Sequence, residues 1–208
     1  MSEILPYYQG LKIRDISQLP PHITFQEYLK IIEAVNKSFE SLPPTDDRLF
    51  RQRRDKLFLT CLWETGGRVG DVCDLLVSDI DMYTHVLNLR VRKRKKTIVV
   101  TLSDRLLFET SEYLRNFKIE GRLFDFTRQY AWQQLKKYAE IAKVKDVHPH
   151  KFRHGLAIYL LEQKVPIPVI SARLGHSNVL ITMQQYMKVT PEIQRMFMEN
   201  VKMRGNGQ

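Results

Sequence analysis

The sequence predicts an α+β fold, mainly α-helical, with a small antiparallel β-hairpin at one edge. Most of the chain repeats apolar residues at the spacing of a helix that buries one face. From Val77 onward the pattern changes, and two short β-branched runs, at 86–91 and 98–100, flank a basic stretch, which is typical of two strands joined by a turn. With 208 residues and 43% hydrophobic residues, the chain is long and apolar enough for one domain with a buried core, with or without an appendage.

The first half of the chain contains clear signals for where helices start and end. Thr24 and Glu27 form a capping box that opens the first helix, and the proline pair at 43–44 ends it. A second helix is predicted over 47–64, with a basic first half and an apolar second half, and Gly66-Gly67 ends it, since glycine accepts the left-handed conformation of a helix C-terminus.

The remaining helices follow from the same signals. A short helix is predicted from Arg68 to about Leu76, and Pro149 suits a first helical turn because its missing N–H is not needed there. Further helices are predicted over 104–117, 127–143, 149–163, 166–174 and 178–188, with a final amphipathic helix from residue 190.

Charge and cysteine usage narrow the class of protein. The formal net charge of +10 favours a polyanionic partner, with nucleic acid first and an anionic membrane second. Cys61 and Cys73 fall in apolar helical patterns without metal-ligand spacing, so we expect buried thiols in a reducing compartment. No signal-peptide pattern or bilayer-length apolar run is present, and we expect a cytoplasmic protein that does not enter membranes.

One stretch, from His148 to Tyr186, holds residue types suited to a phosphodiester. His150 and Arg153 lie three apart on the same predicted helix and therefore share a face, and His176 follows a Leu-Gly turn. A guanidinium can hold two phosphate oxygens, an imidazole exchanges protons near neutral pH, and a tyrosine hydroxyl becomes a nucleophile where cations and a base assist it. Any one of these elements alone is more often surface or packing chemistry, so the prediction depends on their order.

The same order appears together with an upstream turn, Thr65-Gly66-Gly67-Arg68, followed by Asp71. In this the chain resembles the tyrosine recombinase family, which includes the phage integrase, Cre and Xer enzymes, over roughly residues 23–190. The resemblance implies a tyrosine-recombinase catalytic fold. Its implied catalytic residues are Arg68, Lys93, His150, Arg153, His176 and Tyr186.

The roles of Lys93 and Asp71 leave alternatives open, and the spacing of Tyr186 departs from the family pattern. Lys93 matches the family's hairpin lysine, with Lys95 and Lys96 as competitors in the same basic tip. Asp71 either steadies Arg68 or forms only a surface pair with it. Tyr186 follows His176 by ten positions, one more than the family usually shows.

The resemblance implies site-specific DNA recombination through a 3′-phosphotyrosyl intermediate, with no metal, ATP or other cofactor. The expected partners are double-stranded DNA and further copies of the chain, as a dimer or tetramer on DNA and a monomer when free. Residues expected to contact DNA are Arg51, Arg54, Arg92, Arg94, Lys95, Lys96 and Lys151. Type IB topoisomerase activity, a catalytically impaired DNA-binding accessory protein and a basic helical RNA-binding protein are the alternatives.

Three segments are expected: an N-terminal arm or interdomain linker at 1–22, a catalytic domain at 23–189, and a C-terminal helix and tail at 190–208 that either folds back or docks on a neighbouring protomer. Family members usually carry an N-terminal helical domain that completes a clamp around DNA. Because only about 20 residues precede the catalytic region here, we expect either a fragment or a minimal recombinase.

Overall fold

The computed structural model describes residues 20–40, 46–92, 95–163, 165–176, 178–179 and 182. Within these residues the order of elements is helix, helix, short helix, three strands and four helices. The helices are α1 (Phe25–Glu40), α2 (Asp46–Thr65), α3 (Val69–Cys73), α4 (Asp104–Phe117), α5 (Arg128–Ile141), α6 (Pro149–Glu162) and α7 (Ile167–Leu174), and the strands are β1 (Ile80–Asp81), β2 (Val86–Val91) and β3 (Lys96–Thr101).

The helix starts lie at the predicted capping residues. Thr24 Oγ1 accepts a hydrogen bond from the Glu27 backbone N–H at 3.2 Å, and Glu27 Oε2 accepts one from the Thr24 N–H at 2.7 Å, so the capping box is complete. Thr127 Oγ1 caps α5 by accepting from the Tyr130 N–H at 3.2 Å. Pro149 is the first residue of α6, as predicted.

The sheet confirms the predicted hairpin and adds a strand that the sequence did not indicate. Its order is β1-β2-β3, all antiparallel, with Leu87 opposite Val100 and Leu89 opposite Ile98. These four side chains are buried, while the residues that alternate with them in β2 face solvent, which is the pattern of a strand covered on one side.

Helix α2 is the central element of the core. Its second half contributes the buried side chains Leu57, Phe58, Leu62 and Trp63, and α1, α3, α4 and α6 all pack against it. Trp63 stacks on Tyr28 of α1 with 4.6 Å between ring centroids. Because this half of α2 is apolar on most sides, it must be covered by other elements on most sides. The other helices are therefore arranged around it.

Both cysteines are buried free thiols, as predicted. Burial raises the pKa of Cys73 to about 11, and burial also raises the pKa of Cys61 well above its usual range. A protonated, buried thiol is unreactive, so both residues act as packing groups.

The predicted helix over 178–188 falls mostly outside the described residues, as do the C-terminal helix and nearly all of the N-terminal arm. No described helix combines the length and apolarity needed to cross a membrane.

Candidate active site

Helix α6 places Arg153 inside the protein. Only 8% of the residue is exposed, and its guanidinium donates from Nη1 to the Gly66 carbonyl at 2.7 Å and from Nη2 to the Leu174 carbonyl. Gly66 lies two residues before Arg68, and Leu174 lies two residues before His176. One guanidinium therefore fixes the relative positions of three motifs that are far apart in sequence.

The two acceptor carbonyls lie at helix ends held by glycine. Gly66, just after α2, has φ +59°, and Gly175, just after α7, has φ +64°, both in the left-handed region. Such C-terminal turns leave carbonyl groups without helical partners, which a buried guanidinium can satisfy. A Cβ on Gly175 would clash with Ile98 of β3 and lie 3.6 Å from Lys96 Cε, so the hairpin packs directly against the turn that carries His176.

Arg68 is the N-cap residue of α3, and its side chain is about one-third exposed. Its Nη1 lies 3.9 Å from Oδ2 of Asp71, and Asp71 is 7% exposed. The other oxygen, Oδ1, accepts from the Arg92 backbone N–H at 3.4 Å, whereas Oδ2 receives no hydrogen bond from the part of the chain that is described. Asp71 thus lies between Arg68 and the start of the hairpin tip.

His150 lies at the surface one turn before Arg153. Partial burial lowers its pKa below the ordinary value, and the charges of His148, Arg153 and Arg68 lower that pKa further. The rings of His148 and His150 are 6.5 Å apart. The lowered pKa favours the neutral imidazole, which can accept a proton.

Two residues near this group were missed by sequence reasoning. His154 follows Arg153, and burial, with the charges of Arg153, His150, His22 and His148, lowers its pKa to about 4. Arg173 in α7 donates from Nη2 to the Glu64 carbonyl at 2.6 Å and to the Thr101 carbonyl at 3.2 Å. Adjacency to Arg153 could have singled out His154, but nothing local indicates the distant partners of Arg173.

His176 is half-buried. Its backbone N–H donates to Ser171 at 3.0 Å, and its Nδ1 lies 2.7 Å from Thr182 Oγ1. Thr182 is four positions before Tyr186 in the sequence. Tyr186 itself, like Lys93 and Arg94, lies outside the described residues.

The predicted DNA-contacting residues divide into two groups. Arg51, Arg92, Lys95 and Lys96 are exposed. The remaining two described residues, Arg54 and Lys151, are mostly covered, at 8% exposure each.

Arg54, which was predicted to contact DNA, is buried among partners within the protein. Its Nη2 donates to Asp55 Oδ1 at 2.9 Å and to Tyr130 Oη at 2.7 Å, and the guanidinium lies 4.9 Å from the Phe126 ring centroid. Lys151, also predicted to contact DNA, is mostly covered, and its Nζ lies 2.6 Å from Asp146 Oδ2. Both cations have their partners within the protein.

No group of three or more His, Cys, Asp or Glu side chains in the described part of the chain is arranged to hold a metal ion. The site is instead a cluster of cations and imidazoles around one buried arginine. Such a cluster can bind an anion and exchange a proton with it.

Comparison with known proteins identifies the family to which this mainly helical domain belongs. Residues 22–192 match the model of the phage integrase family, and the chain belongs to that family. It is 34% identical over 181 residues to tyrosine recombinase XerA of Thermococcus kodakarensis, covering 82% of this chain and 61% of that protein. It is 30% identical over 186 residues to tyrosine recombinase XerD of Corynebacterium glutamicum, covering 84% of this chain and 59% of that protein.

Solved structures show the same fold. A crystal structure of XerA recombinase superposes with a TM-score of 0.67 at 22% identity, covering 91% of this chain and 66% of that one. A lambda integrase dimer bound to a COC′ core site gives a TM-score of 0.60 at 20% identity, covering 80% of this chain and 47% of that one. The fold is thus that of a tyrosine recombinase catalytic domain, and the chain spans about three-fifths of the length of the curated relatives described above.

Proposed function

We propose that this chain cuts and rejoins duplex DNA at specific sites through a covalent 3′-phosphotyrosyl intermediate. The observation that carries the proposal is the position of Arg153, which joins the backbone beside Arg68 to the backbone beside His176. Its two carbonyl partners fix the direction of the guanidinium. A scissile phosphate is the anion that such a group of cations fits best.

The chemistry transfers one ester bond to another. The Tyr186 oxygen attacks the phosphorus and gives its proton to a base, the P–O5′ bond breaks, and the leaving 5′-oxygen takes a proton from Lys93. Arg68 and Arg153 hold the nonbridging oxygens, where negative charge develops in the transition state. Because a phosphodiester is exchanged for a phosphodiester, the reaction is reversible and consumes no nucleotide.

The histidines supply proton transfer and support. The lowered pKa of His150 favours its neutral form, which suits it to accept the tyrosine proton. His176 lies next to the turn bonded by Arg153 and contacts Thr182, and it supports the phosphate. Asp71 orients Arg68 from its buried position.

Strand exchange between two duplexes requires four strand cleavages, and each chain contributes one tyrosine. More than one copy is therefore needed, and we propose that the chain acts on double-stranded DNA as a dimer or tetramer and is a monomer when free. Exposed cations at and near the hairpin, Arg92, Lys95 and Lys96, contact the DNA backbone together with Lys93 and Arg94. The reaction takes place where its DNA substrate is, in the cytoplasm.

The decisive experiment is Tyr186→Phe. The variant is expected to form no protease-sensitive covalent adduct with a nicked duplex while binding intact duplex as the unaltered chain does. Tyr83→Phe is the matched control, since Tyr83 is 95% exposed and the change is chemically identical, and it is expected to keep the adduct. Adduct formation by Tyr186→Phe would overturn the assignment of the nucleophile.

A further inference from the structure

Arg173 of α7 connects three parts of the fold. Its Nε and Nη2 donate to the Glu64 carbonyl at 2.9 and 2.6 Å, and Nη2 also donates to the Thr101 carbonyl at 3.2 Å. Glu64 lies in the last turn of α2, and Thr101 is the last residue of β3. One side chain therefore holds α7, the end of α2 and a strand of the hairpin together.

The Arg173 guanidinium lies largely out of water. Burial lowers its pKa below the ordinary value, and the nearby Glu64 charge opposes that shift. Among the residues that the structure describes, its acceptors are two main-chain carbonyls and no carboxylate. Because burying a cation is costly unless its donors are bonded, these hydrogen bonds keep the guanidinium in this position.

Glu64 also fixes the segment where β3 passes into α4. Its carboxylate accepts from Ser103 Oγ at 2.6 Å and from the Ser103 backbone N–H at 3.2 Å. Ser103 is the N-cap of α4 and follows Thr101 by two residues. The carbonyl of Glu64, through Arg173, and its carboxylate, through Ser103, thus hold this end of the hairpin, which we call its base, against the end of α2.

Strand β3 has a second contact with the same part of α7. The turn at Gly175 lies so close to Ile98 that no Cβ could fit between them. Ile98 and Thr101 are three residues apart, which is about 10 Å along a strand. A strand that is held at two points along its length cannot pivot about either one, so Arg173 and Gly175 together set the direction of the hairpin.

The direction of the hairpin bears on the leaving group. Under the proposed function, the hairpin tip supplies the lysine that protonates the 5′-oxygen, and the end of α2 leads into Arg68, which holds the phosphate. We propose that Arg173 is a positioning residue, which fixes the base of the hairpin against α2 and thereby aligns the general-acid lysine with the phosphate at Arg68. The inference rests on the proposed function, which supplies the reaction.

The test compares two substrates in single-turnover cleavage by Arg173→Ala. On ordinary DNA the rate is expected to fall about 10²-fold, as for a misplacement of reacting groups by about 1 Å. When sulfur replaces the 5′-bridging oxygen, the departing thiolate needs no proton, because a thiol pKa is only about 8.5. Arg173→Ala is therefore expected to cleave the sulfur substrate as fast as the unaltered chain does, which would also show that the variant is folded.

A second variant keeps the test decisive if Arg173→Ala does not fold. Arg173→Lys retains a cation at the end of α2 but lacks the planar fork that donates twice to the Glu64 carbonyl. It is expected to show a smaller loss on ordinary DNA, again restored by sulfur.

Two control variants separate positioning from general damage. Arg115→Ala removes an exposed arginine of α4 that is paired with Glu112, and it is expected to cleave both substrates at the unaltered rate. Arg54→Ala is expected to lower thermal stability, but Arg54 is bonded to Asp55 and Tyr130 rather than to the hairpin. It is expected to leave the ratio of the two cleavage rates unchanged.

Unchanged cleavage of ordinary DNA by Arg173→Ala would overturn the inference. A loss in either Arg173 variant that sulfur leaves in place would also overturn it, because such a loss would come from the phosphate-binding groups and not from the general acid. Both results leave the proposed function standing. If the unaltered chain forms no covalent adduct with either substrate, the proposed function itself fails.

Discussion

Arg153 Nη1 donates to the Gly66 carbonyl at 2.7 Å across 87 positions of the chain. Because the same guanidinium also donates to Leu174, the geometry around Arg68 and the geometry around His176 depend on one side chain. Arg153 is therefore structural and, under the proposed function, catalytic at once.

Arg153→Lys is expected to destabilise the fold and to slow DNA cleavage. Lysine keeps the charge but has no planar fork to reach two carbonyls, and each buried carbonyl left without a donor costs about 1–3 kcal/mol. Cleavage is expected to fall about 10²–10³-fold, as for the loss of an oriented donor at a developing oxyanion. Thermal unfolding and single-turnover cleavage measure the two effects. Arg115→Lys, on the exposed face of α4, is the control and should change neither; full activity of Arg153→Lys would contradict the proposed role.

The pH dependence of cleavage is expected to depend on His150. Because the pKa of His150 is lowered, the rate should drop at a more acidic pH than it would with an ordinary histidine as the base. His150→Gln is expected to remove the acid limb of the pH–rate profile. It is also expected to lower the cleavage rate by about 10²–10⁴-fold.

A substitution of His148 tests the role of His150 more sharply. The charge of His148 lowers the pKa of His150, so His148→Gln should raise that pKa and move the acid limb to higher pH. Cleavage rates measured across pH 5–8 at fixed salt would show the shift. An acid limb that stays in place in both variants would exclude His150 as the base.

A chemically altered substrate can show which of Lys93, Lys95 and Lys96 is the general acid. A substrate whose 5′-bridging oxygen is replaced by sulfur has a thiolate leaving group, which needs no proton because a thiol pKa is only about 8.5. Lys93→Ala is expected to lose cleavage of the normal substrate and to regain it with the sulfur substrate. Lys95→Ala and Lys96→Ala are expected to cleave both; rescue confined to one of them would reassign the general acid.

The buried pair Arg54–Asp55 is expected to contribute to stability. Arg54→Ala leaves Asp55 buried at 3% exposure with Tyr138 as its remaining donor, and breaking such a pair costs about 3–5 kcal/mol. Arg51→Ala is the matched control, because its pair with Asp47 is exposed and should contribute within about 1 kcal/mol. Denaturant unfolding measures both; equal effects would contradict the buried placement of Arg54.

Features set by neighbouring residues were predictable. Thr24 with Glu27, Thr127 and Pro149 mark helix starts through contacts within one turn, and the structure has all three. The strand β1 was missed because two residues are too short to display an alternating pattern.

Features set by packing between distant elements were not predictable. The sequence shows that the start of α2 is rich in arginine, but it does not show how the helix is rotated about its axis. That rotation turns Arg54 inward while Arg51 stays exposed. Likewise the acceptors of Arg153 lie 87 and 21 residues away, and no local signal specifies a backbone carbonyl as partner.

The entry of the chain into the fold has a mechanical consequence. The Ile23 N–H donates to the Lys151 carbonyl at 3.3 Å, and the Ile23 carbonyl lies against Gly155 so closely that a Cβ there would collide with it. A force applied to the polypeptide at Pro20 would therefore be transmitted through Ile23 to α6, the helix that bears His150 and Arg153.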